Sequence, residues 1–102
     1  MRIIVFFDLP TGTAVEKKRY TLFRKYLLHS GYDMLQYSVY ARISGNRDEA
    51  MRMIADIKRH LPPEGQIRAL MVTENQYASM QILLGKPTVA EQTLKTDELL
   101  VL

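Results

Sequence analysis

The stretch Arg2-Ile-Ile-Val-Phe-Phe-Asp-Leu-Pro10 decides how the rest of this 102-residue chain can fold. Residues 3–7 are five consecutive apolar side chains, mostly β-branched or aromatic, which is typical of a strand buried on both faces. The strand ends in Asp8, and Pro10 and Gly12 break it. A carboxylate beside a buried strand is costly without a partner, so we expect Asp8 to be a turn cap, a salt-bridge anion or a metal ligand.

Composition limits the class of protein. The length is that of one domain, with 47% hydrophobic and 25% charged residues and a formal net charge of +3. We expect no transmembrane helix and no signal peptide, because neither a long apolar run nor a small-residue cleavage pattern is present. The absence of cysteine excludes disulfides and thiolate chemistry and fits a cytoplasmic protein. The mildly basic balance permits an anionic partner.

A helix is predicted to follow the first strand. Thr13 and Glu16 have the spacing of a capping box, which predicts a helix from about Ala14, and Gly31 fits its C-terminal cap. The residues predicted to face the core are Val15, Leu22, Phe23, Tyr26 and Leu27.

The opposite face of this helix is basic. Lys17, Lys18, Arg24 and Lys25 lie there, and such a stripe is either a solvated helix face or a phosphate-binding surface. Arg19 instead falls within the apolar face. It is expected to extend its guanidinium to the edge of the core, to pair with Asp8 or an acid of a partner chain, or to contact phosphate.

Alternation of apolar and polar residues over 33–43 predicts a strand with one apolar face. Asn46 and Glu49 then indicate the start of a second helix that runs to about Leu61. Its predicted core face consists of Ala50, Ile54, Ile57 and Leu61.

The last third of the chain is predicted to hold a strand over 66–73, a short helical turn over 74–79 and a strand over 80–84. The apolar end at 99–102 indicates a docked fifth strand.

We assign the chain to the α+β class, with the ferredoxin-like order β-α-β-β-α-β and an extra C-terminal strand. The domain is expected to span residues 1–84. Residues 85–102 are expected to form a tail that ends in the docked strand and is exchanged between the two protomers of a dimer. Both faces of the first strand are apolar, whereas two helices cover only one face of such a sheet. We therefore expect a homodimer with its sheets packed face to face.

The chain resembles the small CRISPR-associated endonucleases that are the second universal protein of spacer acquisition. The segments that carry the resemblance are Ile3-Ile-Val-Phe-Phe-Asp-Leu9, Lys17-Lys-Arg-Tyr20 with Lys25-Tyr-Leu27, Gly31 leading to Leu35-Gln-Tyr-Ser-Val-Tyr40, Ile67-Arg68 and Met71-Val-Thr-Glu-Asn-Gln76. They follow the family's order over residues 1 to about 84, and the last resembles the variant found beside type II effector systems.

The resemblance implies a ferredoxin-like homodimer that bridges integrase subunits and holds double-stranded DNA. It also implies an endonuclease that uses Mg²⁺ or Mn²⁺ and acts on single-stranded RNA or double-stranded DNA. Asp8 is the metal ligand and catalytic residue carried over. Many relatives have a second acid just after that strand, where this chain has Pro10, Thr11 and Gly12. A metal site would therefore need the two-fold-related Asp8, backbone carbonyls or waters.

Two further sets of residues are assigned with the resemblance in view. The expected nucleic-acid-binding residues are Lys17, Lys18, Arg19, Arg24, Lys25 and Arg42. The expected interface residues are Ser38, Tyr40, Leu99, Leu100 and Val101. No Ser-His pair, zinc spacing or glycine-rich phosphate loop is found in the sequence.

Two other functions stay open from the sequence. A toxin-type ribonuclease acting alone on messenger RNA would use the same Asp8. A small-molecule-binding regulatory domain would place its ligands between protomers and would have no affinity for DNA, and the basic stripe argues against it. Fold alone decides neither.

Overall fold

The computed structural model describes residues 1–88. Its elements are β1 (Arg2–Asp8), α1 (Ala14–His29), β2 (Asp33–Gln36), β3 (Val39–Ile43), α2 (Arg47–Lys58), β4 (Gln66–Val72) and α3 (Glu74–Ala78). The predicted fifth strand over 99–102, with Leu99, Leu100 and Val101, lies outside the described residues.

The four strands form one antiparallel sheet in the order β2-β3-β1-β4. The order β-α-β-β-α-β is that of the ferredoxin-like fold, so the predicted fold class is confirmed. Strand β1 is central, because it pairs with β3 on one side and β4 on the other. Each helical crossover therefore passes over one intervening strand.

The prediction of a single strand over 33–43 was wrong. The structure divides this range into β2 and β3, which pair as a hairpin through a turn at Tyr37 and Ser38. Ser38 adopts a φ of 64°, a left-handed conformation that glycine or asparagine normally takes in such turns. Because neither residue type stands there, the sequence carries no turn signal, and continuous alternation hides the hairpin.

The predicted strand over 80–84 was also wrong, since this segment has no strand conformation. Met80 and Ile82 instead line a groove with Ile4 and Phe6, so the segment lies over one face of the sheet. The helical turn predicted just before it is confirmed as α3.

The helix ends follow local rules. Thr13 and Glu16 form the predicted capping box of α1, and Asn46 caps α2 by accepting a hydrogen bond from the Glu49 backbone N–H. Ser30, rather than Gly31, is the C-cap of α1. Gly31 follows it with a φ of 92°, which is the usual place for glycine after a helix.

Both long helices pack on one face of the sheet, which we call the helix face. Phe23 and Leu27 of α1 are buried there, although Val15 and Leu22, which were predicted to face the core, are exposed. Helix α2 contributes Ala50, Met53 and Ile57. Leu61, also predicted to be buried, is half exposed because α2 ends at Lys58.

The other face of the sheet, here called the open face, has a much smaller core. Tyr77 of α3 packs there against Ile4 and Ala41. Phe6, Ile43 and Leu70 remain exposed on this face or its edges. No helix within residues 1–88 is long and apolar enough to cross a membrane.

Candidate functional site

Asp8 is the last residue of β1, and its side chain is exposed. Strand alternation places it on the open face, opposite Gln66 of β4. Within residues 1–88 the carboxylate makes no hydrogen bond and no ion pair. Two of the three sequence interpretations, a turn cap and a salt-bridge anion, therefore have no contact in the described chain to support them. The metal-ligand interpretation stays a prediction.

A shallow cleft of about 300 Å³ surrounds this carboxylate and joins three strands at one end of the sheet. The volume lies at the small end of the range for ligand sites. The lining residues are Phe6, Phe7, Asp8, Tyr37, Ser38, Val39, Gln66 and Arg68.

The β2–β3 turn is fixed against β1 next to Asp8. The backbone N–H of Phe7 donates a hydrogen bond of 3.0 Å to the carbonyl oxygen of Ser38. Ser38 is the one residue other than glycine with a positive φ within residues 1–88. Left-handed backbone is strained for such a residue, and strain of this kind often accompanies functional sites. The expected role of Ser38 at the dimer interface stays a prediction.

Tyr37 projects from this turn and is 74% exposed. Its ring stacks on that of Tyr20, with centroids 5.9 Å apart and planes at 21°. Tyr20 in turn contacts the buried Phe7 ring at 5.8 Å. A hydrogen bond with the Tyr20 side chain raises the pKa of Tyr37 above its ordinary value.

Tyr40 lies on the helix face and is completely buried. Its hydroxyl accepts a hydrogen bond of 2.9 Å from Nε of Arg24. Assigning Tyr40 to the dimer interface is therefore inconsistent with its position, because it has no surface to offer a partner. Arg24, assigned to nucleic-acid binding, already holds this internal contact through one of its nitrogens.

Arg19 is half-buried in a small pocket at the start of α1. The pocket is lined by Leu9, Pro10, Glu16, Arg19, Pro62 and Glu64. No ion pair joins Arg19 to Asp8 within residues 1–88, so that alternative was wrong. The partner-acid and phosphate interpretations stay predictions.

The other predicted nucleic-acid-binding residues are distributed over two elements. Lys17, Lys18 and Lys25 are exposed on α1, as the helical spacing predicted. Arg42 of β3 is half-buried, with its guanidinium 5.8 Å from the ring centroid of Tyr32. Their contacts with nucleic acid stay predictions.

The described chain offers limited ligands for a metal ion. No cluster of three or more His, Cys, Asp or Glu side chains exists within residues 1–88. Asp8 alone fits Mg²⁺ as one carboxylate ligand, because this ion retains several waters and accepts oxygen from substrate phosphates. When bound, the ion would supply positive charge at the phosphate and acidify its waters.

Sequence reasoning missed two residues of this cleft. Tyr37 was placed on the apolar face of a single strand, since the turn had no recognisable signal. Arg68 belongs to a strand that was correctly predicted, but its proximity to Asp8 depends on how β4 pairs with β1. Its isolated position as the one charged residue in β4 was the available signal.

The fold and this cleft define a class: ferredoxin-like α+β domains that present one exposed carboxylate at the end of their central strand. The family model described as CRISPR associated protein Cas2 matches residues 1–80. The chain belongs to this family, and its resemblance to the CRISPR-associated endonucleases is confirmed.

Similar proteins agree with the assignment. The protein named CRISPR-associated endoribonuclease Cas2 from Acidovorax ebreus is 43% identical to this chain, over 97% of both chains. The protein of the same name from Treponema denticola is 45% identical, over 99% of this chain and 98% of its own. The crystal structure of Streptococcus pyogenes Cas2 at pH 6.5 superposes with a TM-score of 0.61 at 21% identity. It covers 81% of this chain and 99% of its own, and it supports the fold.

Proposed function

We propose that this protein is a nucleic-acid-binding homodimer of CRISPR adaptation with a metal-dependent endonuclease capability centred on Asp8. In the same role it bridges subunits of a CRISPR integrase and holds double-stranded DNA in the cytoplasm. The observation that carries the nuclease part is the Asp8 carboxylate, which is exposed and without a partner in residues 1–88. The name endoribonuclease, which the similar proteins bear, supports it.

The position of Asp8 on the open face supports the metal requirement. Asp8 lies on the open face at the end of β1, so a two-fold axis that passes near this end would bring the two Asp8 carboxylates towards each other. Like charges at close range repel, and a divalent cation between them relieves the repulsion. Asp8 would hold the ion and orient a water towards the phosphorus, while Mg²⁺ or Mn²⁺ supplies the charge stabilisation.

The open face itself supports the homodimer. Ile43 and Leu70 are 59% and 51% exposed on this face, and exposed apolar surface of this kind often marks a protein–protein interaction site. A second copy of the chain would cover them by the same surface on both protomers.

The exposed lysines of α1 support nucleic-acid binding. Lys17, Lys18 and Lys25 make no ion pair within residues 1–88, so each can approach a phosphate. Binding that neutralises duplex phosphates weakens with salt, with a logarithmic slope of about −0.9 per phosphate.

Asp8→Asn tests the nuclease part, because it removes the charge and keeps the shape. We expect the wild type to cleave labelled single-stranded RNA or duplex DNA with Mg²⁺ or Mn²⁺ and to stop in EDTA. The variant should cleave about 100-fold more slowly or worse, with an unchanged unfolding midpoint. Asp48→Asn is the matched control, since Asp48 is an exposed acid in the first turn of α2.

Undiminished metal-dependent cleavage by Asp8→Asn would refute the catalytic assignment. The scaffold role is measured separately, by capturing an integrase subunit with tagged protein and duplex DNA. Asp8→Asn should capture as much as the wild type, and failure of the wild type to capture the subunit would refute the bridging role.

A further inference from the structure

The cleft beside Asp8 contains two groups that the proposed cleavage does not use. Tyr37 presents an exposed aromatic ring, and Arg68 presents a guanidinium that makes no ion pair within residues 1–88. We infer that this cleft binds one unpaired nucleotide, with its base stacked on Tyr37 and its phosphate held by Arg68 beside Asp8. The inference rests on the proposed function, because it names the residues that would hold the nucleic acid next to Asp8.

The Tyr37 ring is a supported platform. Tyr20 covers one of its faces, and the high exposure of Tyr37 leaves the other face to solvent. The support continues inward, because Tyr20 contacts Phe7 and Phe7 packs edge-on against Phe23 at 5.2 Å. A ring held this way loses little rotamer freedom when a base stacks on it, so more of the stacking energy appears as affinity.

The backbone holds this platform beside Asp8. The hydrogen bond from the Phe7 N–H to the Ser38 carbonyl joins the turn to β1 one residue before Asp8. The left-handed backbone of Ser38 sets the direction of the turn. The distance between the Tyr37 ring and the Asp8 carboxylate is therefore set by the strand register, and not by the motion of a free loop.

Arg68 reaches the same cleft from the other side of β1. It pairs in register with Phe6, and Gln66 pairs with Asp8, so Arg68 and Asp8 are diagonal neighbours on the open face. Diagonal residues lie about 7–8 Å apart, which a long side chain spans. A guanidinium can donate two parallel hydrogen bonds to phosphate oxygens, which would orient the backbone of the bound strand.

The arrangement selects unpaired over paired bases. Bases inside a duplex already have neighbours on both faces, whereas an unstacked base can be splayed onto an aromatic side chain. Stacking tolerates every base, because each has a π-face.

Binding measured in EDTA tests this inference without any cleavage. The probe is a fluorescently labelled single-stranded RNA, and its blunt duplex is the comparison. We expect Tyr37→Ala to weaken single-strand binding about 5- to 150-fold and to leave duplex binding unchanged. Tyr37→Phe should bind like the wild type, because it retains the ring. When one base of the probe is replaced with 2-aminopurine, its fluorescence should be quenched by the wild type and by Tyr37→Phe, but not by Tyr37→Ala.

Arg68→Ala should weaken single-strand binding and make its salt dependence shallower by about one phosphate contact. Arg52→Ala is the matched control, since Arg52 is an exposed arginine of α2 and should change neither value. Equal affinity of wild type and Tyr37→Ala, an equal loss for duplex, or no single-strand binding by the wild type would each overturn the inference. Failure of Asp8-dependent cleavage alone would refute the nuclease and leave the binding result standing.

Discussion

Phe6 and Phe7 are neighbours in sequence, yet they belong to different environments. Phe7 faces the helices and is 5% exposed, with Tyr20, Phe23 and Tyr40 around its ring. Phe6 faces the open side and is 40% exposed. Packing on the helix face therefore stabilises the protomer, whereas the open face leaves apolar side chains and the Asp8 carboxylate exposed, where other molecules can bind them.

Among the substitutions that test this difference between the two faces, Phe7→Ala should have the largest effect on stability. Removing a buried aromatic ring from the helix face should lower the free energy of unfolding by about 3–5 kcal/mol. Phe6→Ala should cost about half of that or less, because its ring buries less surface. Urea unfolding of both variants measures the difference, and equal losses would contradict the division into two faces.

Leu70→Asp should break the open face as an interface. Leu70 is 51% exposed in the protomer, so the protomer should still fold, but a charge there would be buried without a partner in a dimer. We expect the dimer dissociation constant to rise at least about tenfold, as measured by analytical ultracentrifugation. Leu22→Asp is the matched control, because Leu22 is 56% exposed on α1. A monomeric wild type, or an unchanged constant in Leu70→Asp, would contradict the proposed interface.

Tyr26→Phe, a substitution on the helix face, should have the smallest effect on the free energy of unfolding. Burial raises the pKa of Tyr26, and so does the hydrogen bond of 2.5 Å that its hydroxyl donates to Asp56. The folded state therefore keeps this proton where the unfolded chain loses it, so the wild type's free energy of unfolding should fall as the pH rises above about 10.

The variant should be less stable at pH 8 by about 1 kcal/mol, because the hydrogen bond is lost. Its decline above pH 10 should be shallower than that of the wild type, so the two curves should converge. Chemical unfolding at a series of pH values measures this, and parallel curves would contradict the role of the Tyr26 proton.

Local patterns predicted the elements whose signals are local. The apolar run of β1 and the capping box of Thr13 and Glu16 were correctly placed, because burial and capping follow from neighbouring residues. The hairpin at Tyr37 and Ser38 was missed, since a serine took the left-handed position without a sequence signal. The segment 80–84 was misread because an apolar run does not show whether it pairs at an edge or packs on a face.

The sequence by itself determined the fold class, the apolar character of both faces of β1 and Asp8 as the residue of interest. These follow from hydrophobic periodicity, strand breakers and a family resemblance, all of which depend on residue order along the chain. Only the tertiary structure brought Asp8, Tyr37 and Arg68 to one cleft. Asp8 and Arg68 lie on two paired strands and Tyr37 lies in the hairpin turn, so their proximity depends on hydrogen-bond register and on that turn, which residue order alone does not specify.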